Sequence, residues 1–277
     1  MNSAAVNGTA FSEISGVERS VKVDQRVKRA AILGSRFGSG EEKGTGQGSV
    51  ISPLLANVYL HYVFDLWAER WRRREATGDM IMVRYADDLV VGFQHENDAR
   101  RFWDAMRERL REFSLSLHPD KTRLIEFGRF AAQNCKKRGL AKPETFKFLG
   151  FVLICGKSRR GDFQIKRKSR RDRMRAKLQE IKEGLRRQMH RPIPETGKWL
   201  GQIVAGYFAY HAVPTNSAAI SAFRYHVIIL WHRRLRRRSQ RTRLVWTQMA
   251  KLADEFLPKP RILHPWPSVR FAVRHPR

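Results

Sequence analysis

Cysteine is nearly absent: Cys135 and Cys155 are the two in 277 residues. Two cysteines cannot staple a disulfide scaffold or build a four-cysteine zinc site, and they fit a reducing compartment. Long apolar runs are missing as well, since the stretch Val227–Trp231 is soon closed by Arg233 and Arg234, well short of a membrane span. The first residues lack the charged-then-apolar order of a secretory leader. A cytoplasmic protein without a membrane partner is the resulting expectation.

Acidic residues are also in short supply. Against 55 Lys+Arg stand 26 Asp+Glu, a formal net charge of +29. Such an excess repels itself in a compact fold and calls for a polyanionic partner, typically nucleic acid. Residues 157–277 hold 30 of the Lys+Arg and only 7 of the Asp+Glu, so the basic character belongs to the C-terminal part. Lys157–Arg175 carries ten cations and Arg233–Arg243 seven. The candidate phosphate contacts are Lys166, Arg167, Lys168, Arg170 and Arg171 in the first tract, and Arg233, Arg234, Arg236, Arg237 and Arg238 in the second. Contacts of this kind give affinity and salt dependence with little sequence choice.

What is present has clear punctuation. An apolar fraction of 42% suffices for a core. Residues 1–43 read as poorly structured, with Gly34, Gly38 and Gly40 breaking any sustained period. Ser52-Pro53 is a helix-start signal, and Leu54, Leu55, Val58, Tyr59, Tyr62 and Leu66 follow at helical spacing, predicting a helix to about Arg74. Met80–Phe93 predicts two strands around Tyr85-Ala86-Asp87-Asp88, with the aspartates in a tight hairpin turn. Phe102, Met106, Leu110 and Phe113 predict an amphipathic helix; Thr122–Phe127 and Phe146–Cys155 predict strands, with a loop between them. Helices backing an antiparallel sheet make an α+β layer. From Lys157 onward the pattern predicts basic helices, one with Met174, Leu178, Ile181 and Leu185 inward. A second carries Leu200, Ile203, Val204, Tyr207 and Phe208. A third carries Ile220, Phe223, Val227, Leu230 and Trp231, with Thr215 or Asn216 as its cap. The boundary falls near 156–165.

Asp87 and Asp88 are the chemical centre of this pattern. Adjacent carboxylates at the edge of a rigid sheet present the hard oxygens that Mg²⁺ takes, together with waters and substrate phosphates. Asp-Asp is also ordinary turn chemistry, so its surroundings matter. Upstream, Gly46-Gln47-Gly48-Ser49 offers a backbone that a nucleotide can approach closely, with an amide beside it.

The run Gly46-Gln47-Gly48-Ser49-Val50-Ile51-Ser52-Pro53-Leu54-Leu55-Ala56-Asn57-Val58-Tyr59-Leu60, followed by Tyr85-Ala86-Asp87-Asp88, closely resembles group II intron reverse transcriptases. Leu117-His118-Pro119-Asp120-Lys121-Thr122 is similar to the family's lysine-bearing segment, and Phe148-Leu149-Gly150-Phe151 to the segment leading the primer toward the thumb. Leu200-Gly201 through Gly206-Tyr207-Phe208 is similar to the maturase region. The resemblance spans about residues 44–250. It implies a partial right-hand palm at 44–156, then an all-α basic thumb and maturase region at 157–277. It further implies Asp87 as a Mg²⁺ ligand with Asp88 as ligand or support, and Tyr85 and Ala86 at the primer end. Gln47, Gly48 and Ser49 would border the incoming nucleotide and template, and Lys121 would stabilise or protonate the leaving pyrophosphate. The implied partners are structured intron RNA, an RNA template with DNA primer, and dNTPs, in a ribonucleoprotein or nucleoid setting. Trp199, Tyr207, Phe208, Trp231 and Trp246 are each either base-stacking or core residues.

The chain departs from the family where it counts. The palm needs a further aspartate on a strand facing the Asp87 turn, and the segment before Gln47 offers only Asp24, in a poor context. The fingers motifs are absent, Gly46 stands where a proline is common, and no cysteine-bearing endonuclease follows. The expectation is therefore an N-terminally truncated enzyme, with another chain as a candidate source of the missing strand. The competing expectation is a non-polymerising RNA-binding maturase remnant.

Overall fold

A computed structural model describes residues 30–35, 37–39, 52–238, 244–267 and 269. Nine strands and eight helices of seven residues or more are defined among them. They cluster into two units: 1–146 with 155–165 and 267–277, and 147–154 with 166–266.

In the first unit, Ser52–Leu60 (α1), a π turn at His61–Asp65 and Leu66–Arg74 (α2) follow one another without a break. The helix ends where the spacing predicts, but its buried side differs from the stripe that announced it. Leu60, Val63, Phe64, Ala68 and Trp71 are buried, whereas Leu54, Leu55, Val58, Tyr59 and Tyr62 are exposed. Both sides are apolar in sequence, so period alone cannot choose between them. Met80–Tyr85 (β3) and Asp88–Phe93 (β4) form the expected hairpin, and Glu96–Glu112 (α3) packs beneath it. The core gathers around Phe102, which is fully buried with Trp71 at 5.0 Å, Trp67 at 5.2 Å and Phe93 at 5.3 Å between ring centroids. Such edge and tilted pairs add about 0.5–1.5 kcal/mol each beyond their burial.

The main sheet has the order β3-β4-β1-β6, all antiparallel, with Ala30–Ser35 as β1 and Arg123–Glu126 as β6. Phe37–Ser39 (β2) pairs with Leu115–Leu117 (β5). Residues 30–35 and 37–39, expected to hold little regular structure, thus form two strands. Ala30-Ala31-Ile32-Leu33 is the continuous apolar run that a central strand needs, and the glycines around it hide it. The loop expected after β6 includes a short helix, Ala131–Lys137 (α4).

A three-stranded sheet follows: Phe146–Phe148 (β7), Phe151–Lys157 (β8) and Phe163–Ser169 (β9), in that order. The single strand expected over Phe146–Cys155 is broken by Leu149 and Gly150, at φ 44° and 76°, the paired left-handed conformation of a two-residue hairpin turn. The first basic tract, expected to be helical throughout, starts at the end of β8 and runs along β9, and is helical only from Arg171 onward. Phe163 and Ile165 alternate with polar residues in β9 at the strand period.

Four helices make the core of the second unit: Arg171–Arg187 (α5), Ile193–His211 (α6), Ser217–Arg236 (α7) and Trp246–Phe256 (α8). Ile181, Leu185, Leu200, Val204, Phe223, Val227 and Trp231 are buried together. Gly201 allows α8 to approach α6, because a Cβ there would stand 2.5 Å from the Phe256 carbonyl oxygen. Arg224 closes the end of α8, donating to the carbonyl oxygens of Ala253 at 3.0 Å and Pro258 at 3.1 Å, the favourable place for a cation beside a helix C-terminus. No described helix is long and apolar enough to cross a membrane.

Candidate active site

Tyr85 and Asp88 pair across the hairpin, leaving Ala86 and Asp87 as its two-residue loop. Asp88 is therefore the first residue of β4 and Asp87 occupies the turn proper. Ala86 sits at φ 52°, a left-handed conformation that costs a residue with a Cβ about 1 kcal/mol or more. It is held there by Arg84, whose Nη1 donates to the Ala86 carbonyl oxygen at 2.9 Å and to Asn57 Oδ1 at 2.9 Å. The same guanidinium makes a bidentate pair with Asp65, Nε to Oδ1 at 2.7 Å and Nη2 to Oδ2 at 2.6 Å. Planar fork-to-fork geometry of this kind fixes direction as well as energy.

The two anchors come from the helical segment before the hairpin. In a regular helix, positions eight apart stand about 80° out of line. The wider π turn over His61–Asp65 takes up that offset, so Asn57 and Asp65 converge on one guanidinium. His61 Nδ1 lies 3.3 Å from Asp65 Oδ2. Asn57 Nδ2 in turn donates to the Pro53 carbonyl oxygen at 3.0 Å. These three residues, Asn57, Asp65 and Arg84, were not singled out from sequence. The available signal was a lone arginine inside an apolar strand, one residue before an acidic turn.

Sheet register gathers further residues at this end. Ser35 of β1 pairs with Asp88 and Gly34 with Leu89, so the strand beside the carboxylates brings no third one level with them. On the far side of β1, Leu33 pairs with Arg123. Lys121 lies two residues earlier, exposed, in a turn whose Lys121 and Thr122 N–H groups donate to the His118 carbonyl oxygen at 3.2 and 3.0 Å. Two strand spacings separate Asp88 from the line of β6, about 10 Å. Tyr85 is exposed at the same end. Gln47, Gly48, Ser49 and Asp24 lie outside the described residues.

Among the described residues no three His, Cys, Asp or Glu side chains cluster as a metal cage. The donor set at the turn, two adjacent carboxylates, fits a Mg²⁺ that keeps waters and takes phosphate oxygens, rather than one enclosed by protein. Sulfur offers no alternative chemistry nearby: burial pushes the Cys155 thiol up to about 11, and Cys135 is buried.

The basic residues divide by exposure. Lys168, Arg171, Arg233, Arg236 and Arg237 are exposed; Lys166, Arg170, Arg234 and Arg238 are half-buried. Arg167 is buried, which removes it from any phosphate-facing surface. Arg170 pairs with Asp172 and holds that carboxyl at about 2. Of the aromatic residues, Tyr207, Phe208 and Trp231 are buried, Trp199 is half-buried and Trp246 is exposed.

A search of curated proteins returned no match. Residues 17–153 match the family model described as reverse transcriptase (RNA-dependent DNA polymerase). That interval contains both strands of the hairpin, the Asp87 turn, the helix that pins it and Lys121. Over residues 17–153 the chain is thus similar to the reverse transcriptase family.

Proposed function

We propose that the chain serves a group II intron-type RNA-directed DNA polymerase with maturase function. The observation that carries this is the hairpin turn itself: Asp87 and Asp88 at a sheet end, with the Ala86 carbonyl held by an Arg84 that Asp65 and Asn57 grip in turn, an anchor that ordinary turn formation does not require. In this reading Asp87 and Asp88 hold Mg²⁺, which supplies charge neutralisation for nucleotide phosphates and the primer hydroxyl. Tyr85 and Ala86 border the primer end, and Gln47, Gly48 and Ser49 border the dNTP and template. Lys121 faces the leaving pyrophosphate. The exposed cations from Lys168 to Arg237 take structured intron RNA.

Primer extension on an RNA template tests it. Asp87→Ala is expected to lower the rate at least about 100-fold, since even residues that only support a metal ligand cost about 10–100-fold when removed. Synthesis that survives Asp87→Ala would remove the assigned site.

A second reading is favoured by β1, which places Gly34 and Ser35 where a further palm carboxylate is needed. Here the chain binds intron RNA and assists its folding without polymerising, or receives the missing strand from another chain. Extension absent from the purified chain, with tight salt-dependent RNA binding retained, selects this reading. A flat salt response excludes it.

A further inference from the structure

Tyr210 is half-exposed on α6, yet its ring is fixed. Its hydroxyl donates to the Leu149 carbonyl oxygen at 2.8 Å, and one ring face stacks on Phe151 at 5.7 Å and 21°. His211 meets its edge at 4.9 Å. A surface-exposed tyrosine held on two sides has little rotamer freedom left to lose on meeting a ligand. It was not among the aromatic residues that the sequence brought forward.

Beside it lies a groove of about 430 Å³, lined by Arg173 and Lys177 of α5 and by Ile203, Gly206, Tyr207, Tyr210 and His211 of α6. Gly206 stands one turn before Tyr210 on the same side of α6, and a Cβ added there would meet nothing within 4 Å. Arg173 and Lys177 are also one turn apart and so project together. Lys177 is engaged by Glu180 at 2.8 Å; Arg173 is exposed. His211 is turned toward Ser169 Oγ at 3.2 Å, and burial pushes its pKa down to about 4. The positive charge of the groove at neutral pH therefore comes from α5.

We infer that this groove takes one unpaired nucleotide of a single-stranded RNA, its base over Gly206 against Tyr210 and its phosphate at Arg173 and Lys177. An apolar floor with a rigid aromatic wall suits the faces of a base, and the cations at one rim suit the backbone. A base inside a duplex keeps its faces covered by its neighbours and gains nothing there. The inference rests on the proposed RNA-binding function and gives it a location at the level of one base.

Two experiments on the full chain test it. A 12-residue oligouridylate carrying 5-iodouridine is photo-crosslinked and the adduct mapped by mass spectrometry, with Tyr210 the expected site. Binding of the unlabelled strand is then measured across a salt series. Gly206→Leu fills the groove from open space, and Tyr210→Ala removes its wall. Each is expected to weaken binding about 10-fold, in line with the loss of one stacked base, while binding of a blunt RNA duplex changes less than twofold. Arg173→Ala is expected to reduce the slope of log affinity against log salt by about 0.7, one phosphate on a single strand. Gly206→Leu carries the test should Tyr210→Ala loosen the fold through Phe151. Wild-type affinity in Gly206→Leu, with salt-dependent binding intact, overturns the subsite and leaves the RNA-binding function standing. Failure of the wild-type chain to bind either RNA overturns both.

Discussion

Arginine does opposite work at the hairpin turn of the first unit and at the end of α7 in the second. In the first, Arg84 is gripped by Asp65, Asn57 and the Ala86 carbonyl, and Arg101 leans on buried Asp98. In the second, Arg233, Arg236 and Arg237 stand exposed on the last turn of α7 and its C-cap, while the core beneath is filled by Trp231, Phe223 and Leu200. Arg84 spends its charge on the geometry of its own unit, as Arg224 does in the second, whereas the exposed cations at the end of α7 leave theirs for a ligand. A surplus of cations is therefore not one property of this chain.

The sharpest test of that contrast is a pair of arginine substitutions. Arg84→Met is expected to cost about 3 kcal/mol of stability, since it strands Asp65 in a partly buried pair, and to lower polymerisation through the loosened turn. Urea unfolding with hydrogen exchange on the full chain would locate the loss; a loss below 1 kcal/mol breaks the comparison. Arg237→Ala is its counterpart, expected within about 0.5 kcal/mol in stability while reducing the salt slope of RNA binding.

Next in size is a contrast within one helix. Gly201→Ala drives a Cβ against the Phe256 carbonyl and is expected to cost about 2–3 kcal/mol, as backbone cannot yield the way a side-chain tip can. Gly206→Ala meets open space and is expected to stabilise α6 by about 0.5–1 kcal/mol. Equal effects at the two glycines would refute the packing of α8 against α6.

Acid separates the units more gently. Burial holds His211 at about 4, below the ordinary value of about 6.5. As pH falls between these values the unfolded chain binds a proton that the folded imidazole declines, so the second unit loses stability there and is fully stable above. The expected loss is about 1–2 kcal/mol, since the ring is only partly buried. At Asp98 burial raises the carboxyl, but hydrogen bonds from Arg101, Thr77 and Gly78 outweigh it and hold it below 3.8. That contribution is present above the unfolded value and disappears as pH falls through the folded one. Exchange at pH 7, 5 and 3.5 should thus show the second unit loosening first. His211→Gln should remove the upper transition, and its persistence would show that another group carries it.

Much of the fold was legible because period and punctuation agreed. The hairpin stood out because two apolar runs flank four residues that break them, and the α5 stripe because its opposite side is basic. Hidden features share a different cause. Leu149 gives no sign of a left-handed turn, although Gly150 does. β9 was masked by Lys166, Arg167 and Lys168, whose charges obscure strand alternation. Helix α8 went unread although Met249 and Ala253 are spaced for it, since its inward surface is small. At the site, Asp87 and Asp88 announced themselves, but Arg84 did not. Its role depends on Asn57 and Asp65, 27 and 19 residues away, and a π turn that no spacing rule foretells.

The smallest expected effect concerns the exposed stripe of α1 and the π turn after it. Tyr62→Ser should leave stability within about 0.5 kcal/mol, because Tyr62 is 65% exposed; a larger loss would mean the residue is covered in solution. That stripe has a consequence for handling the molecule. At low ionic strength the charge of +29 keeps copies apart, so Leu54, Leu55, Val58 and Tyr62 rarely meet. Raising salt to strip off RNA shortens the screening length from about 8 Å at 0.15 M to about 3 Å at 1 M, and the same step lets the apolar stripes find one another. Salt and RNA therefore trade places as solubilisers: the RNA-free protein is the form most prone to cluster at high salt, and a short oligonucleotide is the gentler means of keeping it dispersed.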